Sequence, residues 1–488
     1  MSWSLARRWT HGASGCGLGE ELRLTLAWVA EAVGGQVLSG RPLDAIGEVV
    51  SDTRTLRTGD FFVALRGPRF DAHHFVAEAF QKGAGGALVE RGSVSAEQSS
   101  AGGVGGVVAV DDTTTALQDL AHAVRKASGT RVVAITGSAG KTTTKEAIAE
   151  FLIGRGRVVR NKGNLNNHIG LPLSLLQLRA RPDVAVMELG MNHAGEISTL
   201  VAIAEPDTRV WTNVGDAHMG FFASPDGIAD AKAEILEGSS PDTVLVCNAD
   251  DARVAARVGA FAGRTLTFGI SAPATVRACD VEYLGIDGTS ARMVTPAGER
   301  QIRTPLIGRG NLANVLAAAT VALDLGTPID DVVAAAARLK PADRRGAVRH
   351  LRAGTVLIDD SYNSSPAALA AALEVVAVEA RASRKVAVIG EMLELGEHAE
   401  ALHRRSGAVA AAAGLQLLFA IGGEPARVLA DAAIEAGMPA SAVSWIDDSE
   451  SAAPAIAAAV RPGDLVLVKG SRGVRTDVVA DRIAAEFS

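Results

Sequence analysis

At 488 residues the chain is too long for a single hydrophobic core, and its length predicts about three domains. Apolar residues make up 48% and aromatics only 4%, with 52 glycines, which fits alanine- and valine-rich α/β sheets better than aromatic-rich sandwiches. A formal charge of −7 with no basic stripe excludes nucleic acid from the expected partners, and Cys16, Cys247 and Cys279 are too scattered for a disulfide frame or a zinc cluster, which suits a reducing cytosol.

Residues 1–21 read as an extension without fixed structure, or as a start placed too early: Arg7-Arg8 is followed by His11-Gly12-Ala13-Ser14-Gly15 rather than by the apolar stretch of a secretion signal. From 22 to 127 short strands and helices alternate, through Leu26–Val33, Glu48–Val50, Asp60–Leu65 and Gly86–Val89, with an exposed glycine-rich loop expected at Gly102–Gly106. A second unit, 128–341, has strands expected at Val132, Val184, Arg209 and Val244 and ends with helical patterns over Asn311–Leu325 and Asp331–Leu339; such alternation predicts a parallel sheet with crossover helices. The third unit, 342–488, places strands at Thr355–Ile358, Lys385–Ile389, Leu417–Ile421, Val443–Ile446 and Leu465–Val468 between alanine-rich helices, a doubly wound Rossmann-like pattern. It lacks the dinucleotide glycine signature, yet ligands are still expected at its strand ends, where Asp359-Asp360, Gly390-Glu391 and Lys469-Gly470-Ser471 stand. The longest apolar run, Ala408–Gly423, is short for a bilayer and reads as a helix end followed by a strand, so no membrane insertion is expected.

The most informative segment opens the second unit. A β-branched run, Val132 to Ile135, leads through Thr136 into Gly137-Ser138-Ala139-Gly140-Lys141-Thr142-Thr143 and then into the helix-forming Lys145-Glu146-Ala147. Glycines let backbone N–H groups converge on phosphate oxygens, and an opening helix adds its positive end. Lys141 would supply a charge to the β- and γ-phosphates and Thr142 a hydroxyl to Mg²⁺, although Ile135 stands where the strict pattern has its first glycine. We read a nucleoside-triphosphate site.

Two further strand ends bear on it. Glu188 follows Val184–Met187, where a Mg²⁺ ligand belongs if that strand neighbours the loop; without the loop it would be a solvated strand-end acid. His218 lies beyond Val210–Val214, and its strand-end position favours a metal or phosphate role over a merely structural one. Lys232, within Ile228–Ile235, reads by itself as a helix-surface lysine paired with its neighbours.

Taken together, the segments resemble the Mur ligase family nearly end to end. The resemblance is carried by Ser51-Asp52-Thr53-Arg54, Gly59–Gly67 and Phe70-Asp71-Ala72-His73, by Thr136–Thr143, and by Gly163-Asn164-Leu165-Asn166-Asn167-His168-Ile169-Gly170. It continues through Gly190–Ile197, Gly308-Arg309-Gly310-Asn311, Asp359-Asp360-Ser361-Tyr362-Asn363 and Val468-Lys469-Gly470-Ser471-Arg472. The chain departs from the pattern at Met219–Phe222 and at Tyr362–Pro366, which bears on acceptor contacts and not on the reaction.

The resemblance implies a three-domain α/β enzyme: a uridine-nucleotide domain, a central ATP-binding domain and a Rossmann-like domain that closes over both. It implies an ATP-dependent ligase of the bacterial cytoplasm, a monomer, that joins D-alanyl-D-alanine to UDP-N-acetylmuramoyl-tripeptide for peptidoglycan. By the same resemblance Lys141 and Thr142 hold ATP and Mg²⁺, with Glu188 and His218 around two metal ions. Lys232 matches the lysine that CO₂ carbamylates to N6-carboxylysine, Asn311 an adenine contact, and Arg345 the γ-phosphate arginine, with Arg344 and Arg349 close by. Asp360 and Asn363 fall near the ATP ribose and the incoming substrate; Lys469, Ser471 and Arg472 face the acceptor. Thr53 and Arg54 belong to the uridine-nucleotide signature, and Asn164, Asn166 and Asn167 face the muramoyl peptide.

Within the same superfamily, the ligase that adds the third residue and folylpolyglutamate synthase compete with this reading. An Asp-Asn-Pro-Arg acceptor motif is missing against the first, and Gly140-Lys141-Thr142-Thr143 differs from the Gly-Lys-Gly-Ser expected of the second. A nucleotide-dependent switch would need the loop but not Glu188, His218 and Lys232 beside it.

Overall fold

The computed structural model describes residues 20–68, 70–93 and 105–488. Cys16, nearly all of the leading extension and the greater part of the expected glycine loop at 102–106 lie outside that range.

Among the described residues three large sheets follow one another, with a two-stranded ribbon, Arg66–Gly67 and Phe70–Asp71, beside the first. The first has five strands in the order Gln36–Ser39, Gly106–Val110, Gly86–Glu90, Phe61–Val63, Val49–Val50, parallel except for Gln36–Ser39. Gly106 is not loop, as the glycine spacing suggested, but opens a buried strand. A Cβ there would lie 2.0 Å from Leu26 Cδ1, so glycine admits the helix Leu26–Ala32 against the sheet. His73 is structural: it sits against Asp71 at 2.6 Å through Nδ1 while Nε2 accepts the Glu90 N–H at 2.9 Å. An accepting Nε2 places the ring proton on Nδ1, where Asp71 takes it.

The central sheet has nine strands. Arg131–Thr136 lies between Val184–Glu188 and Thr208–Trp211, all parallel. These strands are buried on both faces, which is why they read as unbroken apolar runs rather than alternating ones. Helices Lys141–Phe151 and Gly308–Asp324 cover one face, the second beginning three residues ahead of the expected Asn311. The central sheet is mostly parallel, as expected, but it carries three strands that the sequence did not announce. Val276–Tyr283, Thr289–Thr295 and Gly298–Thr304 extend it as an antiparallel meander. Their half-exposed, alternating residues carry too weak a pattern to stand out from loop, and only Pro296-Ala297 separates the last two strands.

The third sheet runs Ala347–His350, Val356–Asp360, Asp464–Lys469, Arg384–Gly390, Leu417–Ile421, Val443–Ile446, parallel but for its first edge strand. The apolar run at 408–423 is indeed the end of helix Ala399–Ala412 followed by strand Leu417–Ile421. Among the described residues no helix is long and apolar enough to cross a membrane.

Candidate active site

The glycine loop leaves the carboxyl end of Arg131–Thr136, and two of its positions require glycine. Gly137 has φ +150° and a Cβ would fall 1.9 Å from Thr212 Oγ1; Gly140 has φ +85° and a Cβ would fall 2.1 Å from Asn314 Oδ1. Lys141 opens the next helix and curls its ammonium back to donate to Gly137 O at 2.7 Å. Loss of solvent around that ammonium lowers its pKa; the Glu188 charge opposes the shift and Arg345 adds to it. The loop is held from the neighbouring strand end by Asn213. Its carbonyl accepts the Ser138 N–H (3.0 Å), its side chain accepts the Ala139 N–H (2.9 Å), and its amide donates to Ala139 O (3.0 Å). Ser138 Oγ accepts the Gly215 N–H at 2.8 Å, and Thr143 stays half-buried on the first helical turn.

Glu188 pairs in register with Ile135, which sets it one strand from the loop. It is 4% exposed and held from three sides: Thr142 Oγ1 donates at 2.9 Å, Asn166 Nδ2 donates at 3.0 Å, and Lys145 Nζ stands at 3.7 Å. Asn161 bonds its backbone in both directions. Among the described residues no three His, Cys, Asp or Glu side chains converge as a metal cage. A hydroxyl and one carboxylate at a phosphate loop nevertheless fit Mg²⁺, which takes few protein ligands and completes its shell with water and phosphate oxygens.

His218 has φ +68°, and its Nδ1 lies 2.7 Å from Glu394 Oε2, a residue of the third sheet's loops. Burial lowers its pKa; the Glu394 hydrogen bond opposes this, and the charges of Lys141 and Lys232 reinforce it. Lys232 corrects the reading from local sequence. It lies in the helix Pro225–Ala233, capped by Ser224, and is 1% exposed rather than at the surface. No hydrogen bond or ion pair reaches its ammonium among the described residues, and burial, then Lys141, push its pKa well down. Neutral amines attack CO₂, so the carbamate chemistry fits this environment.

The third sheet presents a second set of groups. The Arg345 guanidinium lies 4.1 Å from the centre of the Tyr362 ring, and Arg472 lies 5.5 Å from it. Lys469, 2% exposed, donates to Asp360 Oδ2 at 2.6 Å and to Asn363 O at 3.0 Å. Ser471 Oγ is taken by the Leu393 N–H at 2.9 Å. Arg344 points elsewhere, with Nη2 at 2.9 and 3.1 Å from the Asp481 carboxylate, and Arg349 is exposed on the edge strand Ala347–His350.

The descriptions "Mur ligase middle domain" and "Mur ligase, glutamate ligase domain" match residues 135–322 and 344–472. A UDP-N-acetylmuramoyl-tripeptide–D-alanyl-D-alanine ligase of Bacillus subtilis (strain 168) is 34% identical over 469 residues, spanning 96% of this chain and 100% of its own. The chain belongs to the Mur ligase family. A crystal structure of MurF from Acinetobacter baumannii matches with a TM-score of 0.86 at 32% identity, over 95% of this chain and 99% of that one. MurF ligase from Thermotoga maritima, solved in complex with ADP, matches at 0.78 and 30%, over 90% and 97%.

In this Mur ligase, loop, Glu188, His218 and Lys232 fall within the middle-domain match; Arg345, Asp360, Asn363, Lys469, Ser471 and Arg472 fall within the second. Asn311 stands on the first turn of Gly308–Asp324, donating to Ile307 O at 2.9 Å, one helical turn before the Asn314 that faces Gly140. Asn166 orients Glu188, whereas Asn167 Oδ1 accepts the Gly170 N–H at 2.8 Å and starts a helix; Asn164 O accepts the Asn166 N–H at 2.8 Å. Thr53 and Arg54 lie in the first sheet's loops, Thr53 O receiving Lys82 at 3.1 Å and Arg54 pairing with Asp52; neither is bonded to the groups above. Sequence reasoning missed Asn213, Lys145, Asn161, Asn314 and Glu394. Lys145 alone carried a signal, being a lysine on the apolar side of a helix that starts at the loop.

Proposed function

We propose that this chain joins D-alanyl-D-alanine to the terminal carboxylate of UDP-N-acetylmuramoyl-tripeptide, using ATP and passing through an acyl-phosphate, to make the pentapeptide precursor of peptidoglycan. What carries the reading is likeness along the whole chain to ligases of that named activity, 96% of this chain against 100% of the Bacillus subtilis relative. Likeness confined to the nucleotide domain would fit a switch equally well. We assign 22–127 to the uridine-nucleotide end, 128–341 to ATP and 342–488 to the acceptor, in a cytoplasmic monomer.

A carboxylate is a poor acyl donor because its leaving group would be oxide. Phosphorylating it solves that, at the expense of driving one anion onto another. Lys141 offsets the crowding at the β- and γ-phosphates, and Arg345, near enough for its charge to be felt at Lys141, approaches from the third sheet. Tyr362 steadies that guanidinium by cation–π contact. Mg²⁺, held by Thr142 and Glu188 with His218 and carbamylated Lys232 around a second ion, would neutralise the transferring phosphoryl charge. Asn166 and Lys145 fix Glu188 in advance, so no reorganisation is needed during the reaction. Lys469, Ser471 and Arg472 line the third sheet's strand ends, where the dipeptide amine would meet the acyl carbon and expel phosphate. Seating the third sheet on the central one keeps water from the acyl-phosphate.

Purified protein with ATP and Mg²⁺ should release phosphate only when both tripeptide and dipeptide are present, and Lys141→Ala should lower that rate by about 10³-fold. Equal release with another amino-acid acceptor would favour a different ligase of the superfamily; near-normal turnover by Lys141→Ala would remove the loop assignment.

A further inference from the structure

The loop 391–398 of the third sheet and the loop 215–222 of the central sheet are shaped to each other. The Gly220 N–H donates to Glu394 O at 2.7 Å while the Glu394 carboxylate meets His218 Nδ1 at 2.7 Å. Both His218 (φ +68°) and Glu394 (φ +64°) occupy the left-handed region that residues with a Cβ seldom adopt. The two backbones approach so closely that a Cβ on Gly396 would fall 2.7 Å from Gly220 Cα, and one on Gly220 would fall 2.8 Å from Gly396 N. Behind this contact the third sheet's loop is pinned: Leu393 N–H to Ser471 Oγ at 2.9 Å, and Met392 N–H to His403 Nε2 at 2.9 Å. Glu394 itself is 47% exposed and His218 19%, so the charge attraction alone is worth little and what holds the pair in place is the fit of the two loops around it.

We propose that Glu394 is a positioning residue for the ligase reaction, gripping His218 by Nδ1 from the third sheet so that Nε2 is left free toward the nucleotide site only while the two sheets are docked. This rests on the function proposed above. A carboxylate on one imidazole nitrogen fixes both the tautomer and the ring plane, leaving the other nitrogen as the acceptor. Here the carboxylate comes from a different sheet, 176 residues away in sequence. Docking of the acceptor side is thereby read at the phosphate side by one hydrogen bond.

Three variants and three readouts test this. Glu394→Gln should lower kcat by about 10- to 100-fold while KM for the tripeptide and the dipeptide changes less than about threefold, and Glu394→Asp should recover part of the rate. Mn²⁺ binding in the presence of ADP, followed by electron paramagnetic resonance, should weaken by about tenfold in Glu394→Gln at unchanged melting temperature. Gly396→Ala, which separates the loops and keeps the carboxylate, should reproduce both losses. Glu394→Gln with kcat and Mn²⁺ affinity within about twofold of the unsubstituted protein overturns the proposal. So does a kcat loss that comes with a lowered melting temperature and unaltered Mn²⁺ affinity, which would mark a merely structural tie. If the unsubstituted protein itself releases no phosphate with both substrates present, the functional reading has failed instead.

Discussion

Lys232 occupies a position that stability alone would give to leucine or methionine. An almost wholly buried ammonium, 1% exposed, costs more than an apolar side chain of similar volume. Lys232→Met should therefore abolish ligation yet raise stability at pH 7 by about 1 kcal/mol or more. The folded amine is already neutral where the unfolded one is still charged, so the variant's advantage should shrink as pH rises toward the ordinary lysine value of 10.5. Denaturation in CO₂-free buffer across that range checks it; a margin that grows with pH would contradict the assignment of burial as the cause. Lys232→Ala should regain partial activity with formate, which replaces the lost anion. The sequence did carry a sign of this burial, for Lys232 stands four residues after Ile228 and three before Ile235, inside the apolar stripe of its helix. Its acidic neighbours drew the reading to the surface instead. Arg345 shows a different limit. Sequence leaves three nearby arginines open, and only packing separates them, because Arg344 is occupied by Asp481 while Arg345 lies on Tyr362. Arg345→Ala should lower kcat by about 10²-fold or more with little change in ATP affinity, and Arg344→Ala should cost stability with kcat nearly kept. Reversed outcomes in steady-state kinetics would move the phosphate role by one residue.

At the scale of elements, the parallel strands were legible because burial on both faces leaves an apolar run, and the phosphate loop because its glycines and lysine come in a fixed order. The meander 276–304 was not legible, since half its residues face water and its turns are short. It matters because its turn Gly285–Asp287 receives the third sheet's helix end. Glu379 accepts the Ile286 N–H at 3.2 Å, and a Cβ on Gly285 would stand 2.3 Å from its carboxylate. Arg381 bridges Glu379 and Asp287. The Arg381 hydrogen bonds hold Glu379 at a pKa of about 2, below the usual carboxylate range. Its contribution is therefore fully present above the unfolded value of 4.5 and is lost as pH falls from there through about 2. Glu379→Gln should cost about 1 kcal/mol at pH 7, modest because Arg381 remains exposed, and the variant's stability should fall less steeply with acid. Parallel acid profiles for the two proteins would contradict that tie.

Across the whole molecule, side chains tie the first and third sheets to the central one. Arg179 ties the first sheet's loops to the central unit through Glu21 and the Gly47 carbonyl, and Glu379 and Glu394 do the same for the third. Sequence order placed each motif on its own strand end but could not show that loops 176 residues apart would touch, since no local pattern encodes such a contact. In the proposed reaction this arrangement makes it tolerable for a carboxylate to strike the γ-phosphorus of ATP. Labelling both oxygens of the tripeptide's terminal carboxylate with oxygen-18 tests that most directly, because the acyl-phosphate must hand one labelled oxygen to its leaving group. After turnover with ATP and D-alanyl-D-alanine, mass spectrometry should find one labelled oxygen in each orthophosphate and the other in the new amide. Orthophosphate free of label would rule out the acyl-phosphate route.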